Sequence, residues 1–342
     1  MDDVLGYIPL DREGRKLLIA CASVATWWAR PSQRRLFSSV SLDDENYLQR
    51  MEDVSRDSGG YLSALHNLRS LTLCNITLLP NGQEEILACF SAFRETLTEL
   101  SLERISASFS SFVSLVGYFP NITTLRVEFF AWDYYESPVP PLSQPLRGEI
   151  YIRFTEIYWW KFIDQFTMLN QKYDRLVLDF GSIVVDAKNL ESLLQSSASS
   201  VKYLQLEATP RRGTALTSIA NFRQLREFEP LVNWFGNVEG LIAPISSTKL
   251  RKLVISGSSV LNRDIFTQGT EAWGPLDKEL CQLVTRLGRA GYRRSLEVEL
   301  RPSKIRDGDF RPRKIDFTRV LPKFRERGFV TIAYRNACDS NH

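Results

Sequence analysis

Catalysis most often rests on a positioned histidine, a reactive thiol or a carboxylate held beside a partner, and this chain is thin in the first two. His66 lies just ahead of the first strand-like motif and His342 is the last residue, so neither of the two histidines is placed for acid-base or triad chemistry. The five cysteines, Cys21, Cys74, Cys89, Cys281 and Cys338, are scattered, with no CxxC pair to begin a zinc or redox site. There is no GxGxxG or GxxxxGK[ST] loop to cradle phosphates and no HExxH helix to hold a metal. Adjacent carboxylates such as Glu84 and Glu85 read as solvated helix residues rather than a catalytic dyad. The sequence therefore predicts no enzyme, no cofactor and no metal.

What the chain does carry is a row of charges on strand-like segments. "LRSLTLCNI" (68–76), "LTELSLERI" (97–105), "ITTLRVEFF" (122–130), "VKYLQLEAT" (201–209) and "LRKLVISGS" (250–258) share an LxxLxL pattern. "RGEIYIRF" from Arg147, "YDRLVLDF" from Tyr173, "LREFEPL" from Leu225 and "RRSLEVEL" from Arg293 keep its alternating half. The two-residue period of a strand sends the leucines to one side and the intervening residues to the other. That second side collects Glu99, Glu103, Glu128, Glu149, Asp179, Glu207, Glu227, Glu229, Glu297 and Glu299, against Arg126, Arg153, Arg175, Lys252 and Arg301. Ten acidic residues against five basic ones form a wall suited to a basic protein segment and unfavourable to nucleic acid; the competing expectation is that the charges partly neutralise one another.

The elements that position this wall follow from spacing. Taking the fourth motif residue as marker gives Leu71, Leu100, Leu125, Ile150, Leu176, Leu204, Phe228 and Leu253, at intervals between 24 and 29 residues, with a longer step to Leu296. Intervals of this size are those of leucine-rich repeats. Between the strands, 83–94, 109–119, 159–169, 187–197 and 278–290 have helical spacing. Single strand-helix units cannot bury their own apolar side, so the expectation is an α/β leucine-rich-repeat solenoid, a curved parallel sheet with helices on its convex side. Two stretches break the rhythm: the proline-bearing connection 131–148, with Trp132, Tyr134 and Tyr135, and the insertion 262–277. At the end, 316–334 reads as a helix, a stop at Gly328 and a strand that closes the array.

The 342 residues are 44% hydrophobic and 24% charged with formal net charge +3, the composition of a globular protein rather than a disordered one. No apolar run reaches the roughly 18 residues of a membrane span. Lys16 and the apolar stretch 17–25 imitate a signal peptide, but Asp2, Asp3, Asp11 and Glu13 make the preceding segment acidic. Unpaired cysteines and no leader point to a cytoplasmic or nuclear setting. A cluster of basic residues near the end, Arg286 to Lys314, is interleaved with acids and reads as solvated surface.

Before the motifs comes "LLIACASVATWWARPSQRRLF" (17–37), where Leu17, Leu18, Cys21, Val24 and Trp28 share one helical face until Pro31 ends it. Ala20-Cys21, Val24, Trp28 and the run "LFSSVSL" (36–42), followed by the motifs and the closing "LPKFRERGFVTIAY" (321–334), resemble fungal F-box proteins with leucine-rich repeats. The family's box opens with an LPxEL segment, whereas here "VLGYI" follows Met1 almost directly, so the expected box is truncated at its N-terminal end. Ser23, Ala25 and Thr26 depart from the family's pattern and Trp27 is an additional tryptophan. The resemblance implies three parts: a truncated F-box-like helical head at 1–42, a leucine-rich-repeat solenoid at 43–302 and a capping helix and strand at 303–342. It further implies a substrate-recognition subunit of a cullin-RING (SCF-type) ubiquitin ligase. Leu17, Leu18, Cys21, Val24 and Trp28 would meet the SCF adaptor protein, and Glu99, Glu103, Glu128, Glu149, Asp179 and Glu207 would face the target. The alternative is a free-standing leucine-rich-repeat interaction module whose degenerate head binds no adaptor and only covers the first repeat.

Overall fold

The computed structural model describes residues 39–43, 67–78, 87–88, 90–128, 131–132, 142, 144–154, 159–167, 169, 171–185, 187–210, 216–232, 241–257, 273–292, 295–301, 321–326 and 329–332. The head residues Leu17, Leu18, Cys21, Val24, Trp27 and Trp28, both histidines, and Tyr134 and Tyr135 lie outside them. The fold class is α/β, with parallel strands joined through helices and turns. The chain divides into two compact units, Met1–Leu146 and Arg147–His342, and the division falls inside the proline-bearing connection 131–148.

In the first unit β1 (Ser39–Asp43), β2 (Ser70–Cys74), β4 (Glu99–Glu103) and β6 (Thr124–Glu128) pair in parallel. The marker residues sit opposite one another, Leu71 pairing with Leu100 and Leu100 with Leu125, and Val40 joins the row by pairing with Leu71. β1 thus places Ser39 to Leu42, which the sequence reading left with the helical head, in the sheet itself. Beyond β2 and β4 the chain turns at Asn75 and Arg104, both left-handed with φ near 53° and 52°. Their amides donate across to Glu103 and Glu128 carbonyls at 3.0 and 2.9 Å. The kinks redirect the chain into β3 (Thr77–Leu78) and β5 (Ser106–Ala107), which with β7 (Ala131–Trp132) form a second, three-stranded parallel sheet. Helix α1 (Phe109–Tyr118) begins at Ser108, whose hydroxyl accepts from the Ser111 amide at 3.1 Å, a side-chain N-cap. In the segment expected to be helical at 83–94, the described part ends in a tighter 3-10 turn, Ser91–Phe93, and Phe90, Phe93 and Phe119 cluster beneath it.

The second unit contains β8 (Leu146–Arg153), β9 (Gln171–Val185), β10 (Tyr203–Pro210), β11 (Glu227–Val232), β12 (Lys252–Gly257), β13 (Glu297–Arg301) and β14 (Phe329–Ile332). From β9 to β14 each strand pairs in parallel with the next. Leu176, Leu204, Phe228 and Leu253 again stand in one register, each with no solvent exposure. At the next strand the register departs from the expected one. Leu253 pairs with Val298 rather than Leu296, and Ile255 with Leu300. A slide of two residues keeps every side chain on its face, so the hydrophobic pattern alone tolerates both registers. Helices α2 (Trp159–Phe166) and α3 (Ala187–Ser197) follow the predicted spans, and α4 (Gly274–Arg289) starts four residues before the predicted 278. The buried Asp277 of α4 accepts the Lys323 and Phe324 amides of the short α5 (Pro322–Arg325) at 3.1 and 2.8 Å, which fixes the helix start just before β14.

The first motif position also enters the core: Leu68, Leu97, Tyr173, Val201, Leu225 and Leu250 are all fully buried. Tyr173 is the polar member of this set. Its hydroxyl lies 2.6 Å from Ser197 Oγ on α3, and burial raises its pKa, so the phenol stays neutral and satisfied.

Candidate functional site: the charged strand face

The face opposite the core leucines carries the residues singled out in the sequence. In the first unit Glu99 is exposed, while Glu103 and Glu128 are half-buried and pair as neighbours in the β4–β6 register. The buried Cys74 thiol donates to Glu103 Oε2 at 3.5 Å.

In the second unit the charges are interlocked. Glu149 on β8 meets Arg175 of β9, with Oε1 to Nε at 3.2 Å. The Arg175 guanidinium lies over the Tyr203 ring of β10, 4.0 Å from its centre. Tyr203 in turn donates to Glu229 of β11 at 2.7 Å, giving this 3% exposed carboxylate a partner. Farther along, Lys252 of β12 holds both Glu297, at 3.6 Å, and the buried Glu299 on β13. These contacts cross neighbouring strands, because in-register side chains on one face are the closest partners a sheet provides.

At the other end of the strands, Asp179 and Glu207 stand opposite each other on β9 and β10. Arg153 Nε is 3.2 Å from Asp179 Oδ2, and the Tyr151 hydroxyl donates to the same oxygen at 3.4 Å. Burial, together with the Asp179 charge and hydrogen bond, pushes the Glu207 carboxyl up from 4.5 to about 7 against the opposing pull of Arg153. Glu207 therefore changes charge close to neutral pH rather than in the usual carboxylate range. Just beyond the pair the register jumps, Glu207 facing Asp179 but Thr209 facing Val184, so the two carboxyls end the regular part of the ladder.

The raised carboxyl links stability to pH. Between pH 4.5, where the unfolded chain loses the proton, and about 7, where the folded chain does, stability falls as pH rises and then levels off. Urea midpoints of the full chain measured at about pH 5 and about pH 8 therefore differ more than those of Glu207→Gln, which has no proton to lose. An equal pH response in both proteins would place the titration elsewhere.

The face therefore differs from a bare acidic wall. The sequence placed Glu149, Asp179, Glu229, Glu297 and Glu299 on the correct side of the strands, yet in the second unit their charge is met by Arg175, Arg153, Tyr203 and Lys252. Tyr151 and Tyr203 are the residues sequence reasoning missed. Both occupy outward positions of their motifs, next to the marker residues Ile150 and Leu204. Among the described residues no group of three or more His, Cys, Asp or Glu could hold a metal ion, and no helix is long and apolar enough to cross a membrane. A comparison with protein-family models finds no match, and a search of curated proteins finds none either.

Proposed function

We propose that this chain is a target-recognition subunit that performs no chemistry itself. The segment with Leu17, Leu18, Cys21, Val24 and Trp28 docks the adaptor of a cullin-RING ubiquitin ligase, as the F-box resemblance implies. The strand face then holds a protein target. The observation that supports this reading best is the register within each unit. Motif leucines 24 to 29 residues apart in sequence stand side by side on neighbouring parallel strands, the arrangement a leucine-rich-repeat array requires. The outward side is then a row of polar positions free to diversify without disturbing the core. On it, Glu99, Glu103 and Glu128 offer carboxylates to a basic target segment, while Glu207, beside Asp179, changes charge around neutral pH.

The test is co-purification with the adaptor. Trp28 lies four residues after Val24 and seven after Cys21 in the sequence, so in the helix that the spacing predicts it would share their face, with Trp27 turned about 100 degrees away. Trp28→Ala is expected to abolish recovery of the adaptor and Trp27→Ala to weaken it less, since a central aromatic anchor carries most of a small interface's energy. Circular dichroism accompanies the pull-down. Loss of folding in Trp28→Ala would assign the segment a covering role, and no recovery by the unaltered chain would favour a free-standing interaction module.

A further inference from the structure

On the charged face of the second unit, Arg153, Arg175 and Lys252 all sit against carboxylates. Among the described residues, a row of exposed cations without an ion pair lies at the rim where the parallel strands begin. Lys202, Arg226 and Arg251 each immediately precede a strand, β10, β11 and β12. Their main chains are stitched in sequence, Arg226 N donating to Lys202 O and Arg251 N to Arg226 O, both at 2.7 Å. Arg223 and Lys249 stand on the turns leading into β11 and β12. Those turns are tied side by side by Lys249 Nζ donating to Gln224 Oε1 at 2.5 Å.

Arg223, Arg226, Lys249 and Arg251 are all exposed. Among the described residues, none of these four side chains makes an ion pair, and only Lys202 is compensated, by Asp174 at 2.9 Å. The same rim position is the second residue of the motif, basic in "LRS", "VKY", "LRE" and "LRK". Stacking the motifs therefore turns dispersed lysines and arginines into a contiguous row.

We propose that this rim, formed by Lys202, Arg223, Arg226, Lys249 and Arg251, is a docking ledge for an extended acidic segment of a partner protein. The inference goes beyond the proposed function, because it concerns a different surface and stands whether or not the head binds an adaptor. Neighbouring strands set Arg226 and Arg251 about 4.8 Å apart at the backbone, and an extended segment presents a carboxylate on one side about every 6.6 Å. Long exposed arginine side chains span that difference, and their guanidinium groups take carboxylates two oxygens at a time. A peptide suits the rim better than a nucleic acid. Phe222 and Phe228 are buried and the Tyr203 ring lies under Arg175, so among the described residues the rim offers no aromatic platform on which bases could stack. The carboxylates of Asp174 and Glu227 beside the row also oppose a continuous phosphate backbone.

Fluorescence anisotropy with a labelled oligo-glutamate peptide and the full chain tests the ledge. The peptide is expected to bind at about 50 mM salt and to weaken as salt rises to about 200 mM. The double reversal Arg226→Glu with Arg251→Glu should lower affinity by about tenfold or more. Lys278→Glu with Arg289→Glu, which makes the same charge change on exposed positions of α4, should lower it far less. Thermal melts of both doubles verify that they fold. Absence of peptide binding at low salt, or equal loss in the two doubles, would overturn the proposal. So would tighter binding of a single-stranded oligonucleotide of equal charge that is lost in the rim double.

Discussion

Leu204→Ala lowers the unfolding free energy by about 2 to 5 kcal/mol, through lost transfer energy of the deleted carbons and the cavity left where they stood. The position has no solvent exposure and lies in register between Leu176 and Phe228, so its cavity is walled by neighbours on two strands that cannot collapse without breaking their own alignment. Leu125→Ala provides the matching test in the first unit, at a 1% exposed site opposite Leu100. Leu204→Met nearly conserves volume and should cost less than about 1.5 kcal/mol. Urea unfolding of the full chain reads all three. An unchanged midpoint in Leu204→Ala would mean that the motif leucines do not share the core their register describes.

That core was legible in the sequence because it obeys two independent periods, alternation within a strand and a recurrence of about 25 residues between strands. Agreement of the two left one side for the leucines. Where only alternation was present, as in "RRSLEVEL", the reading found the face but missed the register by two residues, since Val298 and not Leu296 faces Leu253. Alternation has a period of two and cannot detect an error of two. The small sheet of β3, β5 and β7 was missed for another reason. It consists of two-residue strands, two of which follow the left-handed turns at Asn75 and Arg104, and nothing in hydrophobic spacing reports a backbone turn at an arginine.

The charged face was legible only as far as its sign. Counting outward residues gave an acidic excess, but counting assigns each charge to solvent. On the sheet, Arg175 lies between Glu149 and the Tyr203 ring, and Lys252 spans two glutamates of the next strand. These pairings depend on which strands adjoin and on side-chain reach, both of which follow the fold rather than the local sequence. The same limit hid the basic rim. Its residues are separated by about 25 positions in the chain and become a row only when the strands are placed side by side.

The interlocked charges carry the second large effect. Lys252→Met removes the cation shared by Glu297 and Glu299, and Glu299 is 5% exposed, so a buried carboxylate loses the ammonium that offsets its desolvation. Breaking one side of a fully buried pair costs about 3 to 5 kcal/mol, and with Lys252 partly exposed the loss here is expected to be about 1 to 3 kcal/mol. Glu299→Gln supplies the other single variant. With both changes made, the methionine stem packs on the sheet and no charge remains buried at that position. The double variant is therefore expected to be considerably more stable than the sum of the two single losses. Additive losses across this double-mutant cycle would mean that the Lys252 charge and the Glu299 carboxylate are not coupled and that their pairing does not hold β12 against β13.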